Sequence, residues 1–234
     1  MIELHAFDDP RVQSDALAKA VRDALQASLA AHGSASAAGA PRATLAVSGG
    51  TSPRPFLETL SHEPLDWDRI DVTLVDDRWV PDTDTASNAR LVRETLLTHA
   101  ASQARFHPLV DISQPLDAHI AALNGDAARA LPQVAVLGMG EDGHTASIFA
   151  DAPEWDFAIT TPERFVAVHP SAAPHARVSW SLAALKRIDR LFLLIAGPRK
   201  LDVLNAAAAA DQKNAISKLA NDKGVRLDVY WCAN

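Results

Sequence analysis

The sequence predicts an α/β layered fold: one domain, residues 1–234, around a mostly parallel, Rossmann-like central sheet flanked by helices. Three observations carry this expectation. Short apolar runs alternate with helical patterns along the whole chain, as strands and crossover helices do. Several of those runs, Val134–Leu137 and Leu191–Ile195 among them, are apolar throughout, as strands buried on both faces are. Polar loops follow four of the runs at once, and in a parallel sheet such loops emerge on one edge, where ligands bind.

Taken in order, Ile2–Phe7 reads as an edge strand. From Ser14 to about His32, Leu17, Val21, Leu25 and Leu29 recur at four-residue spacing, one face of a helix, with Gly33 as a natural stop. Ser34–Pro41 is a loop of small residues, too short for a domain linker. Thr44–Val47 is a strand, and Ser48-Gly49-Gly50-Thr51-Ser52-Pro53 follows it. Pro53 suits the first turn of a helix over Arg54–Leu60, so this loop reads either as an anion cradle or as a simple strand-to-helix turn. It is no P-loop, because the G-K-[ST] ending is missing.

Val72–Val75 is the third strand, and Asp76-Asp77-Arg78-Trp79-Val80-Pro81 follows as a polar loop. Two carboxylates and a guanidinium there are a local ion pair or a ligand clamp, and both readings stand. Ser87 is a good N-cap for a helix through Leu91, Leu96 and Ala100. Phe106–Val110 suggests a short strand, Leu116–Leu131 a helix closed by Pro132, and Val134–Leu137 the central strand. Phe165–Val168 and Leu191–Ile195 are further strands, an alanine-rich helix runs through about Ala210, and Leu227–Trp231 is the last strand.

The 234 residues are 48% hydrophobic and 22% charged, ordinary for a globular enzyme. A net charge of −7 argues against broad nucleic-acid or anionic-membrane binding, so an anionic ligand would need a local cluster of Arg and Lys. The single cysteine, Cys232, excludes an internal disulfide and a thiolate zinc site. No apolar run approaches the ~18 residues of a membrane span. The opening Met1-Ile2-Glu3-Leu4-His5 lacks the pattern of a signal peptide, and the expectation is a cytoplasmic protein.

The chemistry concentrates in Gln133–Phe149, Q-V-A-V-L-G-M-G-E-D-G-H-T-A-S-I-F. A buried strand stops at Gly138-Met139-Gly140, and Gly143, His144 and a segment that can begin a helix follow. Gly138–Gly143 formally matches G-x-G-x-x-G, but Glu141 and Asp142 would set two negative charges against a pyrophosphate. The bland alternative is a tight turn with a solvated histidine. His144 with Asp142 two positions earlier is an ionisable pair at a strand's carboxyl end; Asp142 would orient the imidazole or cap the loop.

S-G-G-T-S-P-R-P, V-D-D-R-W-V-P with S-N-A-R, L-G-M-G-E-D-G-H-T-A-S-I-F, R-V-S-W-S-L and G-P-R-K resemble the ordered motifs of 6-phosphogluconolactonases over nearly the whole chain. The resemblance implies hydrolysis of 6-phospho-D-glucono-1,5-lactone to 6-phosphogluconate, the second step of the oxidative pentose phosphate pathway, on a small-molecule sugar-phosphate substrate. His144 then corresponds to the catalytic base. Arg78 and Lys200 match phosphate-binding residues, Gly49, Gly50 and Thr51 the glycine-loop contribution, and Arg177 a substrate or site-supporting arginine. No cofactor and no metal is expected, since a lactone carbonyl is already electrophilic and one histidine can take and return the proton. Asp77 departs from the family's usual Glu, Asp151 follows Ala150 where Pro-Gly is usual, and Ala215-Ile216-Ser217 replaces a common Pro-Ala-Ser. The rival readings are an amino-sugar phosphate deaminase or isomerase on the same fold, and a non-catalytic sugar-phosphate sensor. His169 and His175 are candidates to line the site; His5, His32, His62, His99, His107 and His119 read as surface or packing residues.

Overall fold

The computed structural model describes residues 1–31 and 42–234. Strand β1 (Ile2–Phe7) leads into helix α1 (Pro10–Ala31). The helix starts ahead of Ser14 because Asp9 caps it, its carboxylate accepting from the Arg11 N–H at 2.7 Å. The expected Gly33 stop and Ser34–Pro41 loop lie outside the described residues. Next come β2 (Ala43–Val47), α2 (Arg54–Leu60), β3 (Ile70–Leu74), β4 (Asp76–Arg78), α3 (Asn88–Thr95), β5 (Arg105–His107), α4 (Leu116–Gly125) and β6 (Val134–Leu137). The second half holds α5 (Trp155–Thr160), β7 (Phe165–Val168), β8 (Arg177–Trp180), α6 (Leu182–Leu185), β9 (Arg190–Ala196), α7 (Pro198–Ala209), α8 (Ala215–Ala220) and β10 (Leu227–Cys232).

Seven strands form one sheet in the order β1-β10-β9-β6-β2-β3-β5, every pair parallel. The α/β class with a parallel central sheet is as expected. Strands β2, β6 and β9 are buried along nearly their whole length, which explains why they read as continuous apolar runs. The leucine face of α1 is the buried one, with Leu17, Val21, Leu25 and Leu29 all in the core. From β2 the chain proceeds outward through β3 and β5, then returns to the other side of β2 as β6. The order therefore reverses between β2 and β6, the switch point outside which ligands bind in an open α/β sheet.

A second sheet changes one expectation. Asp76-Asp77-Arg78 is not a loop but strand β4, antiparallel to β8, which pairs in turn with β7. Phe165–Val168 is a strand as expected, though in this small sheet and not the parallel one. Val75 is the pivot between the sheets: its N–H donates to Val47 O (2.9 Å) and its carbonyl accepts from Trp180 N–H (3.2 Å). The Trp180 indole clamps the junction, with Nε1 donating to Leu74 O at 2.9 Å and its ring 4.2 Å from that of Phe165.

Other boundaries moved for local reasons. Helix α3 stops at Thr95, short of Ala100, and the chain turns through a 3-10 segment that His99 opens with φ 46. Strand β5 stops at His107, short of Val110, because Pro108 has no N–H to offer the ladder. Helix α4 stops at Gly125, short of Leu131, where Asn124 exchanges hydrogen bonds of 2.8 and 2.9 Å with the backbone of Phe165. Thr145–Phe149 does not begin a helix: Ala146 adopts φ 51, Thr145 and Ile148 form a bridge, and the next helix starts at Trp155. Strand β8 and helices α5, α6 and α8 fall in segments to which the sequence pattern assigns no element.

Candidate active site

At the crevice between β2 and β6 the two loops are stitched together. Ser48 N–H donates to Val136 O (3.0 Å), and Ser48 Oγ accepts from Gly138 N–H at 3.1 Å. Thr145 Oγ1 donates to Gly138 O at 2.8 Å, which closes the histidine loop on its own start. Gly140 N–H donates to His144 O (3.0 Å) and Gly143 N–H to Gly140 O (3.1 Å), so the turn is fixed before any ligand arrives.

Two of these glycines are required by what surrounds them. A Cβ on Gly140 would stand 2.3 Å from His144 Nδ1 and 2.4 Å from Asp142 Oδ1. Gly143 takes φ 78, and a Cβ there would meet Asn214 Cγ at 2.7 Å. Asn214 caps α8, accepting from Ser217 N–H at 2.8 Å, and Ile216 N–H donates to Gly143 O at 3.0 Å. The start of α8 is thus the wall behind the histidine loop.

Asp142 Oδ1 lies 2.6 Å from His144 Nδ1 and accepts from the His144 backbone N–H at 3.2 Å. It orients the imidazole and caps the loop together, so the two roles left open by the sequence are one. Burial raises the Asp142 carboxyl, but the hydrogen bond and charge of His144 outweigh it and hold the group below its ordinary value. The imidazole stacks on Phe149, ring centroids 4.0 Å apart, which fixes its plane.

The small sheet supplies the cations. Arg78 and Arg177 are direct partners across β4 and β8, a like-charge pair whose repulsion the nearby Asp76 and Asp77 carboxylates offset only in part. Burial, and then Arg78, lower the Arg177 guanidinium from its ordinary value. The Nε atoms of Arg78 and Arg177 are buried without a hydrogen-bond partner. Arg78 Nη1 donates to Ala86 O (2.7 Å) and Asn88 Oδ1 (2.9 Å), and Arg177 Nη2 to Pro174 O at 3.1 Å. Asp77 turns away from the cleft: it accepts from the backbone N–H of Asn88 (2.7 Å) and Ala89 (3.1 Å), and so caps α3. Burial pushes the Asp77 carboxyl up to about 6. Asn88 Nδ2 donates to Asp76 O at 2.8 Å, and its side chain fills the space that a Cβ on Gly49 would need.

The histidine loop, Arg78, Asn88 and Arg177 face one cleft of about 830 Å³. Its walls include every site residue expected from the sequence: Gly49, Gly50, Thr51, Arg78, Asp142, His144, Arg177 and Lys200. Of the two further histidines, His175 lines the cleft; His169 does not, and pairs with Glu154 at 2.8 Å. Lys200, in the first turn of α7, makes no ion pair with a described residue, whereas Arg199 beside it pairs with Glu141 at 3.3 Å. Asp76, which the sequence leaves between ion pair and ligand clamp, lines the cleft, and its Oδ2 accepts from Ser147 Oγ at 2.5 Å. Sequence reasoning missed Asn88 and Asn214: the S-N-A-R run hinted at the first, and nothing local marked the second. Among the described residues, Glu3, His5 and Asp228 form the grouping within metal-ligand reach; it lies outside the cleft, and Asp228 already pairs with Arg190 and Arg226.

A parallel sheet whose carboxyl edge holds a carboxylate-braced histidine opposite paired arginines is the frame of an α/β enzyme acting on a small molecule. The family model for glucosamine-6-phosphate isomerases/6-phosphogluconolactonase matches residues 9–229, and the chain belongs to that family. It is 39% identical to a 6-phosphogluconolactonase of Pseudomonas putida, over 99% of this chain and 93% of that protein. A crystal structure from Neisseria gonorrhoeae superposes with a TM-score of 0.91 at 37% identity, over 99% of this chain and 100% of the other. The crystal structure of a 6-phosphogluconolactonase from Shewanella baltica gives 0.88 at 34%, over 100% of this chain and 98% of the other. No helix among the described residues is long and apolar enough to cross a membrane.

Proposed function

We propose that this chain is a 6-phosphogluconolactonase that opens 6-phospho-D-glucono-1,5-lactone to 6-phosphogluconate, the second step of the oxidative pentose phosphate pathway, with His144 as general base and no metal. The observation that carries the reading is the 2.6 Å contact between Asp142 and His144 Nδ1 in the cleft that Arg78 and Arg177 also line. A carboxylate kept ionised can only accept, so the Nδ1 position bears the proton and Nε2 keeps its lone pair for water. Water attacks the C1 carbonyl as Nε2 takes its proton. The C1–O5 bond then breaks, and the imidazolium returns the proton to the departing ring oxygen. The product is the open-chain acid.

The phosphate ester, close to a dianion, suits the two arginines. Each has a buried Nε without a partner, and the anion would relieve their mutual repulsion. Lys200 adds a third cation, with Gly49, Gly50 and Thr51 on the same wall. The charged substrate cannot cross a bilayer unaided, which agrees with a cytoplasmic reaction.

The test is proton release from freshly made phosphorylated lactone, read against its spontaneous hydrolysis, with ammonia release from glucosamine 6-phosphate measured in parallel. The reading expects fast lactone opening and no ammonia. Lactone opening at the spontaneous rate would overturn it. Arg78→Ala and Lys200→Ala should each raise KM for the phosphorylated lactone by ~10- to 100-fold, the worth of a charge-assisted hydrogen bond.

A further inference from the structure

One histidine of the cleft has no part in that reaction. His175 stands on the loop between β7 and β8, lines the cleft, and makes no hydrogen bond or ion pair with a described residue. Its backbone adopts φ 68, a left-handed conformation uncommon for a residue with a side chain. Hydrogen bonds to the peptides on both sides hold it there. Pro174 O accepts from Arg177 Nη2 at 3.1 Å, and Ala176 O accepts from Trp79 N–H at 2.8 Å. The imidazole is therefore carried on backbone anchored to Arg177 itself, at the end of the cleft where two guanidinium Nε atoms are buried without partners.

We propose that His175 is a substrate-contacting residue, a further donor to the anion taken by Arg78 and Arg177. Given the lactonase reading on which this rests, that anion is the phosphate ester. An imidazole N–H directed at a phosphate oxygen adds a hydrogen bond to a charged acceptor. Its contribution is to affinity for phosphorylated ligands and not to the proton transfer at His144.

Two substitutions keep the backbone and change the donor. His175→Gly removes the side chain without straining φ 68, and His175→Asp, also tolerant of left-handed backbone, sets a negative charge at the same place. KM for the phosphorylated lactone should rise ~3- to 10-fold in the glycine variant and further in the aspartate variant, with kcat unchanged. Inorganic phosphate should inhibit both variants more weakly, in the same order. Kinetics on the unphosphorylated lactone should not move. KM and phosphate inhibition within about 1.5-fold of the unaltered protein in both variants would overturn the proposal, as would equal losses on the two lactones. If the unaltered protein opens no lactone, the functional reading fails by itself. The thermal shift produced by inorganic phosphate, compared across the three proteins, then still decides whether His175 contacts the anion.

Discussion

Replacing Gly140 by alanine should disable the enzyme while leaving it folded. Gly140 does not have a positive φ, so alanine fits its backbone; the obstacle lies ahead of the side chain. The added methyl would stand 2.3 Å from His144 Nδ1 and 2.4 Å from Asp142 Oδ1, whereas ordinary contact begins at 3.4 Å. One of the pair must retreat by about 1 Å, which breaks the 2.6 Å hydrogen bond or displaces the ring along Phe149. A misplacement of ~1 Å costs ~10²-fold in rate, and we expect kcat to fall by that factor. The barrier would rise by ~2.7 kcal/mol. The assay is proton release from fresh phosphorylated lactone in weak buffer, corrected for spontaneous opening, with KM, phosphate inhibition and thermal unfolding measured alongside. KM and phosphate inhibition should hold, because the methyl is directed at the His–Asp pair. Turnover within about threefold of the unaltered enzyme would refute the reasoning, since it would mean the pair tolerates displacement.

Three further outcomes are expected. His144→Ala should lower kcat by ~10²–10⁴ with little change in KM, as loss of a general base does; near-normal turnover would remove the histidine from the mechanism. Arg177→Met should raise KM for the phosphorylated lactone and weaken inhibition by inorganic phosphate by ~10- to 100-fold each, because a charge-assisted hydrogen bond to the anion is lost; unchanged values of both would place Arg177 outside the anion site. Asp77, pushed up to about 6 by burial, has a folded value above its unfolded one of ~3.9, so its contribution is fully present below the unfolded value and is lost as pH rises through the folded one. Between pH 4.5 and 7.5 the unaltered protein should lose ~2 kcal/mol relative to Asp77→Asn, measured as the difference between the two unfolding curves at those pH values; parallel pH dependences would place the carboxyl in an environment less buried than the structure has it.

The sequence by itself determined the parallel sheet, the leucine face of α1 and the histidine loop. Each of these is written in neighbouring residues: a strand buried on both faces must be apolar throughout, a helix must repeat its buried side chains every turn, and a tight loop must carry its glycines next to the groups they accommodate. Asp142 and His144 are two positions apart, so their pairing was visible before any fold. The boundaries that moved, and the residues that were missed, depend on contacts between distant parts of the chain. Whether Asp76-Asp77-Arg78 is loop or strand was decided by Arg177-Val178-Ser179 pairing with it. That pairing set two arginines side by side, and Asp77, which the sequence leaves as ion pair or ligand clamp, caps α3 instead. Asn214 stands behind Gly143 only because α8 folds against the loop, and His175 lines the cleft on a loop that Trp79 and Arg177 hold by hydrogen bonds to the neighbouring peptides. Local pattern fixes which segments become strands and helices, since that choice is made by burial and backbone geometry within a few residues. Which side chains meet in the cleft is settled by long-range packing, which no stretch of sequence carries alone.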